Sequence, residues 1–305
     1  MISRYEYSGG VWIDIEKPNE DEVRSVLGEY GISERVVTEI LSPTPVPLVA
    51  GDAGAVLLVL HFPAPHDEAE DIKSQEIDFI VGEGFIITVR YELVTSLHHL
   101  KKLLETEAAV NSALALSTDV MLELLFAHLY TSIRDHVTHS ADQLDRIEKQ
   151  MFSGKEHQTV RAISDSNRDF LHLEATLVNH EEPLSRFLKT LSERNFFGNS
   201  FEERAARIAA DRVHVVHLIR TYRAVATELR ETNKVLVETR QSEIMKALTV
   251  MTIIVLPLEL IAFIFGMHAP GTPLLQHPNA FWIILALMLA MCAVVALFLS
   301  RKRWI

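Results

Sequence analysis

A single charged side chain, Glu259, interrupts the apolar stretch from Ala247 to Ser300. It lies roughly 18 Å into that stretch at ~1.5 Å per residue. A carboxylate at such depth costs about 2.5 kcal/mol or more if it faces lipid. Glu259 is therefore expected to line a pore, where it can bind cations or protons. The first run closes on Gly266, Met267 and His268. A neutral imidazole accepts hydrogen bonds from the water shell of a cation, or ligates borderline metals such as Zn2+, Co2+ and Ni2+ directly. Below pH about 6.5 the same ring charges and repels cations. His277, further along the same loop, is a second candidate metal ligand. Asp211, His214 and His217 are spaced three apart on a predicted helix, a spacing suited to a metal site between chains. His136 and His139 fall on a charged helix and are read as surface residues. The sequence carries no Walker motif, CxxC pair or catalytic triad, so ATP-driven pumping lacks support and the chain is not read as an enzyme.

Two elements must position Glu259 and His268. The runs 247–267 and 281–300 are each about the 20 residues that cross a hydrocarbon core of roughly 30 Å. Pro257 is expected to kink the first, which neighbouring helices tolerate in a membrane. Lys246 precedes the first run and Arg301, Lys302 and Arg303 follow the second, while the connecting loop has no Lys or Arg. The positive-inside rule then places both termini in the cytoplasm and the loop outside. Trp282 and Trp304 flank the second run as interfacial anchors would.

Ahead of these runs, Ser200-Phe-Glu-Glu203 reads as a capping box that opens a new helix, and no Gly or Pro follows until Pro257. One helix is thus expected from about Phe201 through the first apolar run to Met267, about 100 Å at ~1.5 Å per residue. Ile208, Val215, Tyr222, Leu229 and Leu236 recur every seven residues, with Leu218 and Val225 between them, a rhythm that suggests self-association. In the apolar run, Ser242, Met245, Thr249, Thr252, Leu256, Glu259, Phe263 and Gly266 form a stripe more polar than its surroundings. Such a stripe on a two-span chain is explained if several copies surround a pore, with Leu256 and Met245 as constrictions. Glu228, Glu231 and Glu238 fall on or near the same stripe below the membrane and could collect cations.

The remaining chain reads as an α/β cytoplasmic domain over 1–110, a helical subdomain over 111–199, a stalk helix over 200–246 and the transmembrane hairpin with a basic tail over 247–305. The overall class is α+β. Residues 11–15, 55–62, 76–81 and 84–91 are strand-like; 19–31 and 32–41 are helical, and Ser42–Pro47 is a turn. With 41 Asp and Glu against 29 Lys and Arg, the net charge of −12 argues against nucleic acid and suits cations as partners. The lone cysteine, Cys292, excludes a disulfide framework. The N-terminus lacks the apolar core of a signal peptide.

The run SEIMKALTVMTIIVLPLELIAFIFGMH, together with WIDIEKPNEDEV, the EIDFIVGEGFIITV strand pair and the terminal RKRW, resembles the CorA family of divalent cation transporters, which includes the zinc-transporting ZntB branch. The order of these pieces along the whole chain is the specific part. The resemblance implies a homopentameric funnel in the inner membrane, with first spans lining the pore, and Mg2+ as the default transported or regulatory ion. No other cofactor is implied. His268 stands where the family carries an asparagine, and the loop lacks the family's acidic residues. Glu259 stands where a small polar residue is more common. A ring of five such carboxylates cannot ionise fully without a cation among them, so proton linkage is expected. The alternative is a membrane-anchored metal sensor or scaffold that keeps the fold and does not conduct.

Overall fold

The computed structural model describes residues 1–64, 73–110, 116–198, 200–267 and 279–301. Two compact units divide the chain, Met1–Arg230 and Glu231–Ile305.

The first unit is built on a six-stranded mixed sheet: β1 Ile2–Tyr7, β2 Gly10–Glu16, β3 Leu48–Gly51, β4 Ala55–Ala64, β5 Lys73–Gly82 and β6 Phe85–Arg90, in the order β1-β2-β6-β5-β4-β3. β2 and β6 run parallel; the other neighbours are antiparallel. β5 and β6 join through a two-residue turn in which Gly84 takes φ 78°, the positive value that its second position needs. α1 (Glu20–Glu29) and α2 (Glu34–Ile40) cover one face, packing Val23, Val26, Leu27, Val36, Val37 and Ile40 against Ile13, Ile15, Val59, Ile87 and Val89. Because side chains alternate along a strand, Trp12, Asp14, Phe79, Thr88 and Arg90 point to the opposite face. There Phe79 stacks on Phe126 at 4.9 Å, and Phe62 meets Tyr130 and His180. A buried ion pair crosses this face: Arg90 Nη2 donates to Asp14 at 2.8 Å and to Glu16 at 3.0 Å.

The helices on that side are α3 (Thr95–Val110), α4 (Thr118–Gln150), α5 (Glu156–Val178) and α6 (Glu181–Glu193). A π-helical turn, Met151–Lys155, with Gly154 at φ 87°, joins α4 to α5. α7 follows as one helix from Phe201 to Gly266 with Pro257 inside it, then α8 from Ala280 to Arg301. α7 and α8 are both long and apolar enough to cross a membrane.

Ion pairs tie the N-terminal third of α7 to its neighbours. Arg204 donates to Asp119 at 2.7 Å and Glu123 at 2.8 Å; Arg207 donates to Glu123, while Arg220 and Arg223 both donate to Glu174. The arginines hold both glutamates below the ordinary carboxylate range.

Part of the heptad rhythm of α7 serves the single chain's own core. Ile208, Val215 and Leu229 are buried within the single chain, alongside Val216, Ile219 and Ala226, and Tyr222 stacks on Phe170. Before Arg230 much of the rhythm packs on the chain's own helices, while Leu218 is half-buried and Val225 is exposed. Three elements escape the sequence pattern: β1, the four-residue β3 and α3. β1 alternates polar and apolar residues at a sheet edge, and β3 is short, so neither carries the dense β-branched run of β4 or β5.

Candidate functional site

Each helix of the second unit has one shielded face. In α7 the less exposed residues are Val250, Ile254, Pro257, Leu258, Ile261 and Phe265; in α8 they are Ile284, Met288, Cys292, Val295 and Leu299. At roughly 100° per residue, the α7 set lies opposite Glu259. Glu259 is exposed, together with its stripe neighbours Met245 (57 %), Leu256 (61 %) and Phe263 (70 %), and with Ser242, Thr249, Thr252 and Gly266. A hollow of about 470 Å³ lies against Glu259, Ala262, Phe263, Gly266 and Met267. The stripe read from the sequence is therefore one continuous exposed surface of α7.

The two threonine hydroxyls on this stripe are committed locally. Thr249 Oγ1 donates to Met245 O at 2.8 Å and Thr252 Oγ1 to Leu248 O at 2.9 Å. Their own oxygens keep lone pairs for a cation's water shell. α7 ends at Gly266, and Met267 N–H still donates to Phe263 O at 3.1 Å. The last carbonyls of a long helix carry the negative end of its dipole, so the Gly266–Met267 end favours cations. His268 and His277 lie outside the described residues.

The other sequence candidates separate. Glu228, Glu231 and Glu238 are exposed along α7. Asp211 is half-buried, and burial and the neighbouring Glu123 raise its pKa; His214 and His217 are exposed. Their spacing turns them progressively around the helix, and no group of three His, Cys, Asp or Glu side chains among the described residues could hold a metal ion. His139 is exposed, as expected for a surface residue, but His136 is half-buried, and burial lowers its pKa.

Sequence reasoning missed a buried ionisable cluster on the α2 side of the sheet: Glu76 and Asp78 on β5, with His61 on β4. The signal was present in EIDF, where two acids sit at the two-residue spacing of one strand face. It also missed His180, fully buried, whose Nε2 lies 2.7 Å from His61 O.

A family model described as CorA-like Mg2+ transporter protein matches residues 7–303. The "Cobalt/magnesium transport protein CorA" of Methanocaldococcus jannaschii is 22 % identical over 97 % of this chain and 91 % of its own. The complete structure of the CorA magnesium transporter from that organism superimposes with a TM-score of 0.76 at 21 % identity, covering 99 % of this chain and 93 % of the other. The ZntB cytoplasmic domain from Vibrio parahaemolyticus gives 0.62 at 12 % identity, over 78 % of this chain and 90 % of that domain. At these identities the structures show a shared fold. The family model spans the strand pair, the long helix and both apolar helices, and on that match the chain belongs to the CorA-like Mg2+ transporter family.

Proposed function

We propose that the chain is the subunit of a homopentameric channel for divalent metal cations in the inner membrane, with both termini cytoplasmic. Mg2+ and Co2+ are the first substrates to test, because the matched relative is named for both. Zn2+ and Ni2+ follow from the chemistry of His268. His268 selects at the outer mouth, Glu259 binds the cation inside, and Leu256 and Met245 narrow the path below. Proton exchange at the Glu259 ring accompanies cation passage.

One observation carries this reading. Glu259 and its stripe lie opposite the shielded face of α7. Facing lipid, the carboxylate costs about 2.5 kcal/mol or more. Facing copies of itself around water, it becomes a cation site. The family membership supplies the class of cargo.

The test is flux into proteoliposomes of Mg2+, Co2+ and Zn2+, offered singly at two pH values, for wild type, Glu259→Gln and His268→Asn. The expected result is divalent flux that Glu259→Gln reduces by tenfold or more, together with its pH dependence. His268→Asn is expected to shift preference from Zn2+ toward Mg2+. Absence of flux for every ion, with the oligomer intact, would instead indicate a non-conducting protein of the same fold.

A further inference from the structure

β5 turns two carboxylates toward α2. Glu76 and Asp78 are two residues apart and so share a strand face; they are 8 % and 0 % exposed. Glu76 is well satisfied. It accepts from Thr44 N at 2.6 Å and from Thr44 Oγ1 at 3.1 Å, and His61 Nε2 lies 3.6 Å away. Asp78 is not: neither of its oxygens has a hydrogen-bond partner. Its cross-strand neighbours are Val59 and Val89.

The ionisable groups around Asp78 are Glu76 on its own strand, Glu39 from α2, Tyr91 beyond the end of β6 and, through Glu76, His61 from β4. None is a lysine or arginine. An ionised Asp78 would thus be a buried charge with no counter-charge, beside a second carboxylate. Glu76 is nevertheless within hydrogen-bonding reach of it. Two carboxylates are both acceptors, so a bond between them exists only with a proton in it. Burial first, and then Glu76, push the Asp78 pKa well above the ordinary carboxylate range. A metal ion does not fit, since the described residues offer no suitable group of three ligands.

The same cluster fastens the turn after α2. Glu76 binds the amide and hydroxyl of Thr44, His61 Nε2 lies 2.8 Å from Thr44 O, and Tyr91 OH donates to Ile40 O. Ser42–Pro47 contains three prolines, at 43, 45 and 47, so it has few amides of its own with which to be held.

We propose that Glu76 and Asp78 form a one-proton binding site whose occupancy clamps the 40–47 segment onto the sheet. With the proton bound, the pair carries one charge, on Glu76, matched by Thr44 and His61. Without it, two carboxylates repel across the strand face, and Glu76 is drawn from Thr44. The direction follows from linkage. A folded-state pKa raised above the unfolded value gives stability that is complete below the unfolded pKa and is lost as pH rises through the folded one. His61, raised mainly by its contact with Glu76, shifts stability in the same direction, so the two must be separated by mutation.

The test is hydrogen exchange of the Ser42, Thr44 and Val46 amides in the full-length protein in detergent, from pH about 6 to about 9, corrected for intrinsic exchange. Wild type is expected to lose protection about tenfold per pH unit between the ordinary carboxylate pKa of the released segment and the raised pKa of the clamped pair, and to level off above it. His61→Gln is expected to keep that dependence. Asp78→Asn, which donates a permanent N–H to Glu76, is expected to stay protected and flat. If it does not fold, Asp78→Ser must give the flat profile. A pH-independent wild type, or a neutral variant at position 78 that keeps the wild-type slope, would overturn the proposal.

Discussion

His180 sits fully buried at the start of α6, with Tyr130 OH 3.4 Å from Nδ1 and His61 O 2.7 Å from Nε2. The carbonyl requires Nε2 to carry the proton, which leaves Nδ1 to accept from the tyrosine; the ring is therefore held neutral. Burial is the main cause, with nearby Arg212 adding to it, and the pKa falls to about 4. A histidine with a depressed folded value contributes stability that is complete above its unfolded pKa near 6.5 and is lost as pH falls toward 4. The loss should reach about 3 kcal/mol across that window. Denaturation midpoints measured between pH about 7 and about 4 should fall more steeply toward acid in wild type than in His180→Gln, the difference between the two being the histidine's share. The slope has the opposite sign to that expected of Asp78 over an overlapping pH range, so the two partly cancel in wild type and are separated by the single mutants. His180 left no mark of a site in the sequence, and Asp78 left only the two-residue spacing of acids in EIDF. A histidine between two helices and an acid in an apolar strand acquire meaning only from what the fold packs around them. Glu259 differs, because a lone charge in an apolar run stands out by its residue type alone.

At the scale of elements, the sheet depends on the close approach of two hairpins. Gly10 opens β2 and Gly84 turns β5 into β6, and Val11 N donates to Gly84 O at 3.0 Å. A Cβ on Gly10 would fall 2.0 Å from that carbonyl, which is backbone and cannot rotate aside. Gly10→Ala should therefore force β2 away from β6 and lower stability by about 1–3 kcal/mol. A thermal melt of the full-length protein checks this, with Gly28→Ala as control: Gly28 is helical and has open space around its Cβ position. The strands β2, β4, β5 and β6 were legible because they are long and rich in β-branched residues. The edge strands were not, since their pairing is set by the neighbour rather than by their own composition. The long helix was legible from the absence of Gly and Pro. The partner of its heptad face was not, because a periodic stripe gives the same signal whether it packs on its own chain or on another.

At the scale of the molecule, the two ends of α7 place opposite demands on their surroundings. Up to Arg230 its apolar face is buried in the chain's own helices. From Ser242 to Gly266 the Glu259 stripe is exposed. If copies of the chain assemble with this stripe toward a common axis, residues on it approach their counterparts, and residues on the shielded face do not. Cys292 is the only cysteine, so Cys292→Ala gives a background free of thiols. In that background Leu256→Cys and Thr252→Cys should form inter-chain disulfides on mild oxidation in native membranes, seen as dimers on non-reducing gels. Ile254→Cys, on the shielded side, should remain monomeric. A disulfide needs Cβ atoms about 3.5–4.5 Å apart, so efficient bonding at two positions one helical turn apart would require a narrow lumen along that stripe. Disulfides at Ile254 and none at Leu256 or Thr252 would turn the helix the other way. Glu259 would then face lipid or its own hairpin, and the pore assignment would fail with it.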